Sequence, residues 1–187
     1  LLGDAWSNLV RGVRDGKHGF HLPVVATVQD GLPRARVVVL RGASSADRTL
    51  AFHTDARSAK LDELDAGIAW TFYDQRRRLQ VRARGDARVA DPDTVAARWG
   101  RSPATSRKRY LVEPAPGTPV DAWASGYQGH LDGPVVPSLD ETESGRENFT
   151  VVESTVTELE LLYTLRQGHQ RARWRWQAGW QGSWLIP

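Results

Sequence analysis

Leu79-Gln80-Val81-Arg82-Ala83-Arg84-Gly85-Asp86-Ala87-Arg88-Val89 alternates without a break. Leu79, Val81, Ala83, Gly85, Ala87 and Val89 share one side, and Gln80, Arg82, Arg84, Asp86 and Arg88 take the other. A sustained period of two is the pattern of a strand with one face on a core and one toward water. The fold is therefore expected to rest on antiparallel sheet, and the neighbouring segments agree. Upstream, Val24–Val28 and Arg34–Leu40 are β-branched runs joined across Asp30-Gly31, a pair suited to the positive φ angles of a tight hairpin. Thr49–His53 and Ile68–Tyr73 read as two more strands. Between them Ser58–Ala66 carries Leu61 and Leu64 among charges and stops at Gly67, as a short helix does.

Downstream, Asp91-Pro92 is a helix cap followed by proline at the first helical position, opening a helix through Val95 and Trp99. Residues 102–145 lose all periodicity. With Pro114, Pro116, Pro119, Pro134 and Pro137 they read as a long excursion holding at most short helices. Val151–Leu162 resumes as strand, and Arg173–Trp176 with Trp180–Ile186 reads as a closing hairpin about Ala178-Gly179. At the other end Trp6, Leu9, Val10 and Val13 stand at i, i+3, i+4 and i+7, an amphipathic helix stopped at Asp15-Gly16. Six or seven short strands with two or three helices predict a mostly β fold, an antiparallel barrel with added helices. No glycine-rich phosphate loop follows a strand, which argues against Rossmann and P-loop folds. A chain of 187 residues fits a single domain, residues 1–187.

Composition narrows the function classes. The chain has no cysteine, which removes disulfide frameworks, thiolate zinc clusters and thiol nucleophiles together. No metal site is expected. The start, Leu1 to Trp6, lacks the layout of a signal peptide, and no run approaches the roughly 18 apolar residues of a membrane helix, so a cytoplasmic protein with no membrane partner is the expectation. Lys and Arg total 25 against 22 Asp and Glu, a formal net charge of +3, and the two signs are interleaved. Nucleic acid is not the expected partner, although Arg76, Arg77, Arg78, Arg82 and Arg84 could gather on one face. A small anionic ligand accounts for the same residues.

Three groups carry chemistry. Arg36-Val37-Val38-Val39-Leu40-Arg41 brackets an apolar run with two guanidinium groups, which calls for an anion if the ends are buried; a strand with both ends in solvent reads the same. His53-Thr54-Asp55-Ala56-Arg57-Ser58-Ala59-Lys60 runs from a strand into a helix start, where free N–H groups, the Thr54 and Ser58 hydroxyls and the Lys60 ammonium suit a phosphate. Ordinary capping by Ser58 or Asp55 explains it equally. Gln80 follows the basic run Arg76–Arg78 on the polar strand face, and its carboxamide both donates and accepts, as the edge of a flavin ring requires; a solvated strand face is the plain alternative.

In this order and at these spacings the motifs resemble the pyridoxamine 5′-phosphate oxidase family and its flavin mononucleotide (FMN)-binding relatives. There an Arg-x-Val-Leu-Leu-Lys strand precedes a Tyr-Thr-Asn strand end, a Ser-Arg-Lys helix start and an Arg-Gln-Val strand leading to glycine. The corresponding residues here are Arg36–Arg41, His53-Thr54-Asp55, Ser58-Ala59-Lys60 and Leu79-Gln80-Val81 leading to Gly85. The resemblance implies an FMN-binding split β-barrel. It implies flavin contacts from Arg36, Val37, Val38, Val39, Arg41, His53, Thr54, Ser58, Lys60, Gln80 and Arg173, with Arg36 and Lys60 neutralising the phosphate. It implies a homodimer with the flavin between subunits, Gln128 standing where the partner subunit supplies a glutamine. The implied activity is hydride transfer to or from FMN on a small-molecule substrate, with His169, Arg171 and Arg173 beside that substrate as anion clamp and electrostatic support; a solvated hairpin end reads the same. Departures are Ala59 for a cation, His53 for tyrosine, Arg41 for lysine, and His169-Gln170-Arg171 in place of an Arg-x-His pair. These departures imply a divergent branch with weak or absent vitamin B6 turnover. A non-catalytic flavin-binding module, or a split barrel using a deazaflavin or haem, is the alternative.

Overall fold

The computed structural model describes residues 1–187. Helix α1 (Leu2–Arg14) is followed by strands β1 (Val24–Gln29), β2 (Leu32–Val37), β3 (Leu40–Ser44) and β4 (Thr49–Asp55). A 3-10 helix over Ala59–Ala66 leads to β5 (Ile68–Asp74) and β6 (Leu79–Val89). Helices α2 (Pro92–Arg101) and α3 (Ala104–Arg107) open the long excursion, which adds short 3-10 turns before β7 (Phe149–Tyr163), β8 (Gln170–Trp176) and β9 (Trp180–Leu185). The strands run in the order β2-β1-β5-β6-β7-β4-β3, with β8 on β7 and β9 on β8. The pairs β1·β2, β1·β5, β3·β4, β5·β6, β7·β8 and β8·β9 are antiparallel, and the path does not close on itself. No helix is long and apolar enough to cross a membrane.

The expected elements form where their residue patterns put them, with two corrections. The run Arg34–Leu40, expected as one strand, is two: β2 ends at Val37 and β3 starts at Leu40. The run changes partners there, because β2 pairs with β1 whereas β3 pairs with β4, and Val38 and Leu40 donate instead to the carbonyls of Pro23 and His21. The segment Ser58–Ala66, expected as a short helix, is a 3-10 helix over Ala59–Ala66; Leu61 and Leu64 are three residues apart, the period of that helix. Asp30 and Gly31 take φ of 53° and 75°, the hairpin that the pair predicts.

The chain divides into two compact units, residues 1–52, 62–88 and 153–187, and residues 53–61 and 89–152. The first holds the larger core. Trp70 is sealed between Phe52, edge-on at 5.7 Å, and Phe72, stacked at 5.8 Å, and its indole N–H donates to Ser154 Oγ at 2.9 Å. Leu79, Val81 and Ala83 of the alternating strand are buried beside it in the sequence order foreseen; burying each large apolar side chain contributes about 1.5–3 kcal/mol. Gly85 is required there, since a Cβ would lie 1.9 Å from the Thr155 carbonyl oxygen. The second unit packs Trp99, Tyr110 and Phe149 against one another. Arg107, 5% exposed, lies over the Trp99 ring and pairs with Glu143 at 2.6 Å.

Candidate functional site

In the second unit, β4 delivers His53 and Thr54, and the chain then turns into the 3-10 helix that carries Lys60. Lys60 Nζ donates to Thr54 Oγ1 at 2.9 Å and to Ser58 Oγ at 2.6 Å. One ammonium and two hydroxyls so gathered suit a phosphate monoester: the cation supplies charge, and both hydroxyls can turn to donate to phosphate oxygens. This donor set fits the phosphate end of FMN. The turn is held from below by Asp55, whose carboxylate accepts from the Arg57 backbone N–H and from its guanidinium, while Arg57 also donates to the carbonyls of Val112 and Glu113. Asp55, a candidate cap in the sequence, thus supports the turn together with Arg57, to which the sequence pattern gave no role. The His53 ring meets Phe149 edge-on at 4.9 Å. Gln128 lies exposed in the excursion, and its amide donates to Glu113 at 3.1 Å.

Arg36 belongs to the first unit. Its guanidinium is ion-paired to Glu63 at 2.5 Å and donates to Thr27 Oγ1, and the Thr27 hydroxyl donates to Glu63. Thr27 and Glu63 are both buried. Burial raises the proton affinity of Glu63, but hydrogen bonds from Thr27 and Arg36 and the charges of Arg36 and Arg34 outweigh it, so its pKa is lowered. Neither residue was legible as functional, because a glutamate in a charged helix and a threonine in a strand have no distinguishing pattern. Val37 is exposed at the end of β2, Val38 and Val39 are half-buried in the break, and Arg41 sits at a register shift in β3. Gln80 is half-buried on β6, opposite Tyr73 of β5.

The last hairpin carries the residues expected beside a substrate. His169 is exposed in the turn before β8. Arg171 grips Glu160 through Nε and Nη2 at 3.0 and 3.2 Å, and Arg82 reaches the same carboxylate at 2.6 Å. One register step on, Arg175 and Arg84 share Glu158 at 2.5 and 3.1 Å. Arg171 is thus a member of a three-strand charge ladder rather than an open anion clamp. Arg173 stands on the same face between these bridges and joins neither carboxylate. Glu160 is buried, which raises its proton affinity; the hydrogen bonds and charges of Arg171 and Arg82 prevail, so its pKa too is lowered.

Residues 4–91 match the family model described as pyridoxamine 5′-phosphate oxidase, FMN-binding domain. The chain is 26% identical over 147 residues to pyridoxine/pyridoxamine 5′-phosphate oxidase 2 of Arabidopsis thaliana, covering 70% of this chain and 74% of that protein. It is 37% identical over 113 residues to the pyridoxine/pyridoxamine 5′-phosphate oxidase of Azorhizobium caulinodans, 58% of this chain and 46% of that one. Among solved structures, a pyridoxamine 5′-phosphate oxidase-related, FMN-binding protein of Nostoc punctiforme superposes with a TM-score of 0.77 at 22% identity over 98% of this chain and 96% of its own. PhzG of Burkholderia lata superposes with a TM-score of 0.69 at 17% identity over 100% and 91%. These two likenesses establish the fold, the split barrel that the family resemblance implies.

Proposed function

We propose, on the premise that residues 4–91 carry the FMN-binding domain of the pyridoxamine 5′-phosphate oxidase family, that this chain is an FMN-dependent oxidoreductase acting on a small organic anion. The observation that carries the reading is the junction of Lys60, Thr54 and Ser58, a phosphate seat built from one cation and two hydroxyls. Lys60 neutralises the phosphate, and the family resemblance assigns Gln80 to the ring edge, where its carboxamide offers a donor and an acceptor, and Arg36 to the phosphate as a second cation. Bound FMN supplies the hydride chemistry.

The substrate side is supported by β8. Arg173, flanked by Arg171 and Arg175, which are ion-paired to Glu160 and Glu158, joins neither carboxylate and is the cation left to attract an anionic substrate, and His169 at the turn stands near enough in sequence to assist it. The PhzG structure was determined with tetrahydrophenazine-1-carboxylic acid, a reduced ring bearing a carboxylate, which supports a substrate class wider than the B6 phosphates. Because His169-Gln170-Arg171 departs from the Arg-x-His order and Arg171 is occupied, turnover of pyridoxine and pyridoxamine 5′-phosphates is expected to be weak. A homodimer in the cytoplasm completes the proposal.

Two measurements test it. Protein purified without added cofactor should show flavin absorption, with FMN released on denaturation; protein that neither retains nor binds FMN would refute the reading. Steady-state assays with both B6 phosphates under air should then give specificity constants below the ordinary range of about 10⁴ M⁻¹s⁻¹. Values at or above it would show that the departures on β8 do not matter.

A further inference from the structure

Strand β2 ends the sheet path and is exposed along nearly its whole length. An arginine on such a strand needs no counter-ion, since water solvates it, and Arg34 two residues earlier is exposed in that way. Arg36 is treated differently. Beneath it lies Glu63, only 6% exposed, whose Oε2 accepts from Arg36 Nη2 at 2.5 Å and from the Thr27 hydroxyl, itself 4% exposed and an acceptor from Arg36 Nη1. Nη1 also donates to the Arg34 carbonyl at 3.2 Å. The three side chains close a triangle. A buried carboxylate is costly and rarely improves stability over an apolar residue of its size, so its presence under an edge-strand cation points to a need for that cation in one orientation.

The donor inventory says what remains. A guanidinium has five N–H groups; those on Nη1 serve Thr27 and Arg34, and one on Nη2 serves Glu63. The Nε–H and the second Nη2–H are left, on the fork that receives an oxyanion side-on. Arginine in water spreads over many rotamers, and a clamp that removes that freedom beforehand spares a ligand the cost of ordering it.

We propose that Glu63, with Thr27, is a positioning residue that holds Arg36 ready for the flavin phosphate, an inference that rests on the flavin reading above. It acts through Arg36 and touches no flavin atom. The test is titration of apoprotein with FMN and with riboflavin, which lacks the phosphate, for wild type, Glu63→Ala, Glu63→Gln and Thr27→Val, alongside thermal melts. Glu63→Ala is expected to weaken FMN by about tenfold and riboflavin hardly at all. Glu63→Gln should restore most of the loss, because its carboxamide oxygen still accepts from both donors, and Thr27→Val should fall between. An FMN-to-riboflavin ratio that stays at the wild-type value in Glu63→Ala, with only the melting temperature lowered, would make the triangle purely structural and overturn the proposal. So would tighter FMN binding in Glu63→Ala, which would mean that the carboxylate merely cancels Arg36. If Glu63→Ala does not fold, the near-isosteric Thr27→Val decides by the same ratio. Wild-type protein that binds neither flavin overturns the parent reading and this one with it; wild-type binding with unmoved ratios overturns this one alone.

Discussion

Lys60 shows how an ordinary side chain becomes specific through its neighbours. Its ammonium is fixed by Thr54 and Ser58, so removing it leaves two hydroxyls aimed at an anion without a charge to hold it. Lys60→Ala is expected to lose roughly thirtyfold to several thousandfold in FMN affinity, the range for truncating one partner of a buried charge pair, while riboflavin binding changes little. Fluorescence titration of apoprotein with both flavins checks this, and equal losses for the two would remove Lys60 from the phosphate. The order of residue types announced this cluster. It did not announce Glu63 under Arg36, nor Glu160 claiming Arg171, since long-range pairing partners share no local signal.

Strand β6 follows its sequence pattern closely through Ala83. Its alternation placed Leu79, Val81 and Ala83 in the core, and the same regularity explains why Gly85 tolerates nothing larger: the Thr155 carbonyl oxygen stands 1.9 Å from where a Cβ would be. Gly85→Ala should cost about 1–3 kcal/mol or more, seen as a lower urea midpoint with an unchanged slope. An unaltered midpoint would mean that β7 yields without strain. The ladder across β6, β7 and β8 adds a pH dependence. The folded pKa of Glu160 lies below its unfolded value, so the stability it contributes is complete above about pH 4.3 and is lost as pH falls through the lower folded value. Glu160→Gln should lower stability by about 1–2 kcal/mol at neutral pH, discounted because Arg82 and Arg171 are partly exposed, and should flatten the acid limb of the stability profile. An acid limb as steep as wild type would assign it to other carboxylates.

At the level of the whole molecule, several large apolar residues are exposed to water. Leu22, Leu32 and Val37 are 56–62% exposed, and Trp184 and Ile186 are 69% and 90% exposed. Exposed apolar surface of this kind is commonly covered by another chain, and the family resemblance implies that the cover is a second copy. Light scattering at micromolar concentration should therefore report a homodimer, and Leu32→Lys with Val37→Lys should shift it toward monomer without unfolding it. A monomeric wild type with flavin bound would refute the expectation.

Local pattern alone determined most of the strands and helices, the Asp30-Gly31 hairpin, the capped start of α2 at Asp91, and the grouping of Thr54, Ser58 and Lys60, because each of these depends on residues within one or two turns of one another. The tertiary structure alone decided that the Arg34–Leu40 run breaks at Val38 to change partners, that Arg36 is clamped by Thr27 and Glu63, and that Arg171 is spent on Glu160 while Arg173 is not. Those outcomes join residues from 9 to 36 positions apart, and which partner a charged side chain finds at that range is set by strand register and burial, which no single stretch of sequence carries.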